Sequence, residues 1–436
     1  MLRLPYRVAQ ATLLPLLSSL ALGQVTAEPG VQTAAILDVG DRAYATLTDG
    51  GYVSFDGLSF ERYDAAGSLI QTYGSLSSYA FPSFVEVTPD EAFAYVGESS
   101  NGDLYTVDLG AGTVGHLSNL AFNFDLAFDT SPGFAYVSAA LGGFGLGNDI
   151  LRLDLTTGQW LQVAHVSGPS GPLAVNGAGD LYYVTAYEGV SWPPPLEDED
   201  LLLWTDAQLD AGQVLSEADA SYLTDALDGG GDLEFDQVSG DLYLAHTNFQ
   251  GLANEVLRIS ATGAVQDSLG ASFTHISNLE LSLDDGAAVL APFQPAGARL
   301  HLNNVDFGGT IRDRVTLAPR RSTTTFQGPT NGQPGQASVT ILDGVPNGFV
   351  SLMLARSSFL RGQEVVVDLG WGVPAFFMVD PSEVWRRTTQ LPLDAAGSLT
   401  LTYQQPAGWT GTMTFQALLF DGSGAPVGTS TYVVTD

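Results

Sequence analysis

Short runs of alternating apolar and polar residues recur along most of the chain, separated by Gly, Asp, Asn and Pro. Alternation at a period of two predicts strands with one buried face. Three segments share an opening: NGDLYTVDL (101–109), AGDLYYVTA (178–186) and SGDLYLAHT (239–247). In each, Gly-Asp sets a tight turn and Leu-Tyr begins a strand. A second element recurs as RYDAAG (62–67), TVDLGAG (106–112), RLDLTTG (152–158) and RISATG (258–263). It lies between two β-rich runs, so it reads as a hairpin whose Gly supplies positive φ. A third is an apolar strand ahead of a turn: FVEVTPD (84–90), LAFDTSPG (126–133), LEFDQVSG (233–240) and LELSLDDG (279–286).

In chain order, one unit reads strand, turn, Tyr-bearing strand, variable loop, strand, Gly hairpin, strand. Four antiparallel strands repeating every 40–50 residues predict β-propeller blades. Six blades are expected, within one, starting near Ala34, Ser83, Phe124, Gly171, Gly231 and Ser277 and closing near Leu317. The expected fold class is all-β: a six-bladed β-propeller followed by a small β-sandwich.

The repeats resemble blades of the NHL, YVTN and gluconolactonase-type propellers, carried best by Gly240-Asp241-Leu242-Tyr243-Leu244 and Gly179-Asp180-Leu181-Tyr182-Tyr183. The resemblance covers 34–317 and implies architecture alone, because propellers host binding modules, lyases, lactonases and phosphatases alike. Gluconolactonase-type propellers open on Glu-Gly-Pro-x-Trp; here that region reads AAILDVGD (34–41). The Asp-rich string of phytase-like propellers is missing, as is a Gly-x-Ser-x-Gly nucleophile elbow.

Residues 318–336, rich in Arg, Thr, Gly and Pro, read as a linker, and 337–436 as a sandwich of roughly seven strands resembling accessory domains of secreted bacterial proteins. At the other end, Arg3 and Arg7 precede an apolar run from Ala11 to Leu22, with small residues offering a cut after Gly23 or Ala27. Residues 1–27 therefore read as an export signal, and 28–317 as the propeller. The expected location is secreted or periplasmic. No later stretch is long and apolar enough to predict a membrane span.

Composition sharpens this. The 436 residues hold 48 acidic and 15 basic side chains, all of the latter Arg, for a net charge of −33. Residues 28–318 alone carry −33, residues 319–436 carry −2 and the signal carries +2. Nucleic acid and anionic lipid are excluded as partners, since both need clustered cations. With no Cys, disulfides, thiolate zinc sites and Cys nucleophiles are excluded too. Much of the acidity reads as turn chemistry, Asp bonding nearby backbone amides.

Loop length concentrates in 138–149, 186–200, 246–255 and 292–299, read as second-to-third-strand loops on one face, with His116, His165, His246 and His275 on or near it. Innermost strands contribute Glu86, Asp125, Asp232, Glu234, Asn278 and Glu280, and period-two spacing sends the pairs Asp232/Glu234 and Asn278/Glu280 to one side. Converging carboxylates and a carboxamide suit Ca²⁺, a hard cation taking six to eight oxygens. The same residues could instead cap strand ends and bond backbone between blades. The expected function is an exported, non-catalytic propeller that binds an extracellular protein, glycan or surface polymer through its loop-rich face. The alternative is a Ca²⁺-dependent hydrolase or lactonase at the channel mouth.

Overall fold

The computed structural model describes residues 26–27, 31–38, 43–143, 146–168, 170–185, 199–227, 229–237, 240–247, 254–271, 276–283, 298–305, 312–319, 322–329, 333–342, 344–356, 360–368, 374–379, 386–405, 407, 413–424, 426–430 and 433–434. The N-terminal part is a β-propeller. Successive antiparallel sheets of four strands follow one another along the chain, six of them among the described residues. Their innermost strands are Ala43–Thr46, Pro82–Val87, Phe122–Phe128, Leu173–Val175, Leu233–Phe235 and Ile276–Leu283. These six lie side by side in chain order, and the last returns to pack against the first, which closes the ring.

The alternation that predicted the strands also builds the core. Inward residues of adjacent blades mesh: Val53, Phe55 and Phe60 with Val85, Val96 and Val107, then Tyr95 and Leu104 with Leu126, Val137 and Leu151. The same interdigitation joins the third blade to the fourth and the fourth to the fifth. Each such buried side chain contributes roughly 1.5–3 kcal/mol, so the blade interfaces are the core and no single blade has one of its own. Hairpin acids act as expected. Asp64 Oδ1 accepts the N–H groups of Ala66 and Ser68 at 2.9 and 2.8 Å, and Asp154 Oδ1 those of Thr156 and Thr157 at 2.8 and 3.0 Å.

Three assignments change. The segment starting near Ala34 is not an innermost strand: Val31–Asp38 is the outermost strand of the sixth sheet, paired with Arg312–Pro319, and the first blade starts at Ala43. The GDLY segment at 102–105 belongs to a third strand, Asp103–Asp108, whereas those at 179–182 and 240–243 enter second strands. The same Gly-Asp turn chemistry serves either corner. The stretch 292–299 is not a second-to-third-strand loop: Ala298 and Arg299 open the second strand of the sixth sheet, and 292–297 lie outside the described residues.

The fourth blade carries an insertion at 205–220 between its third and fourth strands, with a helical turn Asp206–Leu209 and a short strand Leu215–Ser216 that pairs in parallel with the third blade's outer strand. Upstream, Thr26 and Ala27, within the segment read as a signal, pair with Ala271 and Gly270; a cut after Gly23 would keep this pair. Among the described residues no helix is long and apolar enough to cross a membrane.

In the C-terminal part, a sheet of Thr323–Gln327, Gly335–Leu342 and Leu399–Gln405 faces a second one centred on Phe349–Arg356 and Met413–Phe420. Val339 and Ile341 from the first share one core with Val350, Phe415 and Leu419 from the second. The stretch read as a linker, 318–336, thus includes a strand of this sandwich.

Candidate functional site

Strand pairing sets the channel tiers. Glu86, Ala127, Ala174 and Glu234 stand opposite Tyr95, Tyr136, Tyr182 and Tyr243 in their sheets, and Glu280 stands opposite His301. Glu86, Glu234 and Glu280 therefore share one level of the ring. Two residues earlier, Asp125, Asp232 and Asn278 share another. A register shift immediately precedes Asp125 and Asn278, and at Asp125 such a bulge re-aims the side chain. The side chains of Asn278 and Glu280 lie outside the described residues.

Glu86, Asp125, Asp232 and Glu234 line one cavity of about 410 Å³ in the channel. Its wall continues through Leu126, Phe128, Leu173, Val175 and Phe235, and it runs to the first-to-second-strand turns at Asp129, Asn176 and Gln237. The cavity therefore reaches toward the end of the propeller opposite the face that loop length favoured. Among the described residues, no Arg or His lines it.

The carboxylates differ in what holds them. Asp125 is buried, and both its oxygens face backbone: Oδ1 accepts from Leu126 N at 2.8 Å, and Oδ2 from Leu173 N, in the next blade, at 2.7 Å. It is a staple between the third and fourth blades. Burial drives its carboxyl well above the ordinary range, and the charges of Asp232 and then Glu234 push the same way, against the two amide bonds. Asp232 Oδ1 likewise accepts from the following amide, Leu233 N, at 2.8 Å. Among the described residues, no three His, Asp or Glu side chains are placed to hold a metal ion.

The histidines sit away from this cavity. His116 and His165 lie on outermost strands and His246 on a second strand. Each meets a carboxylate of its own blade's third strand: Asp103 at 3.0 Å, Asp149 at 2.7 Å and Glu255 at 3.3 Å. His275 lies outside the described residues. Sequence reasoning missed the rim residues Asp129, Asn176 and Gln237. Their signal was position, since each follows an innermost strand within its turn. Asp129 is fixed by Arg152, whose Nη2 lies 2.7 Å from it and whose Nη1 donates to Asp210 at 2.7 Å. Gln237 Nε2 donates to Val175 O at 2.9 Å, across to the fourth blade.

No protein-family model matches this chain, and no curated protein does. Among solved structures it is similar to a gluconolactonase from Xanthomonas campestris, at 16% identity over 67% of this chain and 94% of the other, with a TM-score of 0.46. It is also similar to the calcium-binding protein regucalcin from Agrobacterium tumefaciens, at 12% identity over 65% and 91% of the two chains, TM-score 0.43. A Trichoderma reesei carbohydrate-active enzyme of family AA12 is similar at 11% identity over 68% and 97%, TM-score 0.45.

Proposed function

We propose that this chain is an exported, non-catalytic propeller that binds a compact cationic small molecule in its channel. One observation carries the reading: a cavity of about 410 Å³ gathers carboxylates from the second, third and fifth blades and, among the described residues, has no cation in its lining. A desolvated wall strengthens attraction to a cation, and the apolar band of Phe128, Val175 and Phe235 suits the carbon body of a protonated amine. Residues 144–145, 186–198 and 248–253 of the long second-to-third loops lie outside the described residues.

Thermal melting with putrescine tests this. Putrescine at 100 times its dissociation constant stabilises by about 2.7 kcal/mol, and the paired change Asp232→Ala and Glu234→Ala should remove the shift. No shift in the unaltered chain would refute the reading. The second reading, a Ca²⁺-dependent hydrolase or lactonase, draws on the same carboxylates at one cavity. It requires heat on calorimetric titration with Ca²⁺, and lactone turnover that the same paired change abolishes.

A further inference from the structure

We propose that the edge between the first and second blades, at the end of the second-to-third-strand turns, is a binding shelf for a neutral polysaccharide, built on Tyr79 and Phe81. Both rings stand in the connection between Leu69–Ser75 and Pro82–Val87, 50% and 63% exposed, edge to face with centroids 5.4 Å apart. In an antiparallel blade this connection shares its end with the second-to-third turns, here 56–58 and 99–102.

The shelf is held from both sides. On the first blade, Ala80 N donates to Gly57 O at 2.8 Å and Leu76 N to Leu58 O at 2.7 Å. On the second, Phe81 N donates to Ser100 Oγ at 2.7 Å and Ser99 N to Phe81 O at 2.9 Å. Gly57 has φ +87°, and a Cβ there would come within 2.4 Å of the Tyr79 ring, so the ring lies directly over a residue that only glycine can be. The Ser100 turn is in turn fixed by Glu98, fully buried, which accepts the amides of Ser100, Asn101 and Asp103 at 2.8–3.1 Å. Two aromatic rings are therefore held half-exposed by a rigid frame. That costs free energy unless something covers them.

Area and charge choose the occupant. Two half-exposed rings offer roughly 200 Å², far below the ~1,600 Å² of a stable protein interface. A pyranose fits that area, laying its C–H face on a ring and turning its hydroxyls to the surrounding turn. The net charge of −33 disfavours anionic polymers, which leaves neutral ones. This inference is independent of the channel reading.

The test is retention of the full exported chain on amylose, cellulose, chitin and xylan, with alginate as the anionic control. Retention on at least one neutral polymer is expected, unchanged in Tyr79→Phe, and weakened at least tenfold in Tyr79→Ala and in Phe81→Ala with melting unaltered. The paired change Asp232→Ala and Glu234→Ala should leave it intact, which separates the shelf from the channel. Absence of retention on all four polymers would overturn the proposal, as would retention that neither alanine variant weakens. So would self-association by sedimentation that Phe81→Ala abolishes, because the shelf would then belong to a second copy.

Discussion

Glu98 closes the second strand of the second blade, and its replacement by Gln is the sharpest probe of how these blades hold their corners. The carboxylate takes three backbone donors: Ser100 N on Oε2 at 2.8 Å, Asp103 N on Oε1 at 3.0 Å, and Asn101 N on both, at 2.9 and 3.1 Å. Glutamine keeps the shape and one oxygen. If that oxygen takes the Oε1 place, Asn101 and Asp103 stay bonded while Ser100 meets an amide donor. Bonds to a charged acceptor are worth about 1.5–3 kcal/mol each, and water recovers part of that at these half-buried donors, so Glu98→Gln should cost about 1–2 kcal/mol. Glu98→Ala leaves three donors and a void, about 3–5 kcal/mol. Unfolding entropy of about 0.6 kcal/mol/K for a domain of this size converts these into melting shifts of roughly 2–3 °C and 5–8 °C. Calorimetry measures both, and hydrogen exchange should show the amides of Ser100, Asn101 and Asp103 losing protection first. The reasoning fails if Gln melts with the parent chain, or if Ala costs no more than Gln.

Arg152 pairs with Asp129, whose side chain is fully buried, so Arg152→Met should destabilise by about 3 kcal/mol while the double change with Asp129→Asn recovers most of it; denaturant titrations of the cycle show this, and additive costs would refute it. Asp125 has a raised folded value, so the folded state binds its proton more tightly than the unfolded chain does. Its contribution to stability is therefore complete below the ordinary carboxylate value of 3.8 and is lost as pH rises through the raised one. Because Asp232 is the leading charge acting on it, Asp232→Asn should flatten the fall in melting temperature above pH 4, and superimposable profiles would disprove the coupling.

The blade rhythm was legible because it is local: Asp64, Asp108 and Asp154 each organise a hairpin with backbone bonds that need only near neighbours. The first boundary was not, because Ala34-Ala35-Ile36-Leu37 is a continuous apolar run like that of an innermost strand, and only pairing with the distant Val315 makes it part of an outermost one. The GDLY segment at 102–105 misled for a related reason, since turn chemistry fixes a corner without saying which corner. At the site, period-two spacing put Asp232 and Glu234 on one side, and both line the cavity that Glu86 and Asp125 also line. It could not show that Asp125 turns both oxygens to amides, one of them in the next blade, nor that the space extends to the far turns, because both depend on how blades meet.

The strand Val31–Asp38 completes a sheet whose other three strands come from the propeller's last stretch, so one of the first segments made waits for almost the last. Non-local pairing of this kind is slow to form. During synthesis the ring stays unlatched until residue 319 has emerged, and every earlier blade must persist without its final neighbour. Under the export proposed for this chain, that delay would be an advantage, because the latch forms only after the whole propeller has passed through. It also makes the first forty residues a handle: a competing peptide with the sequence of 31–38 should capture the nascent propeller but not the finished one.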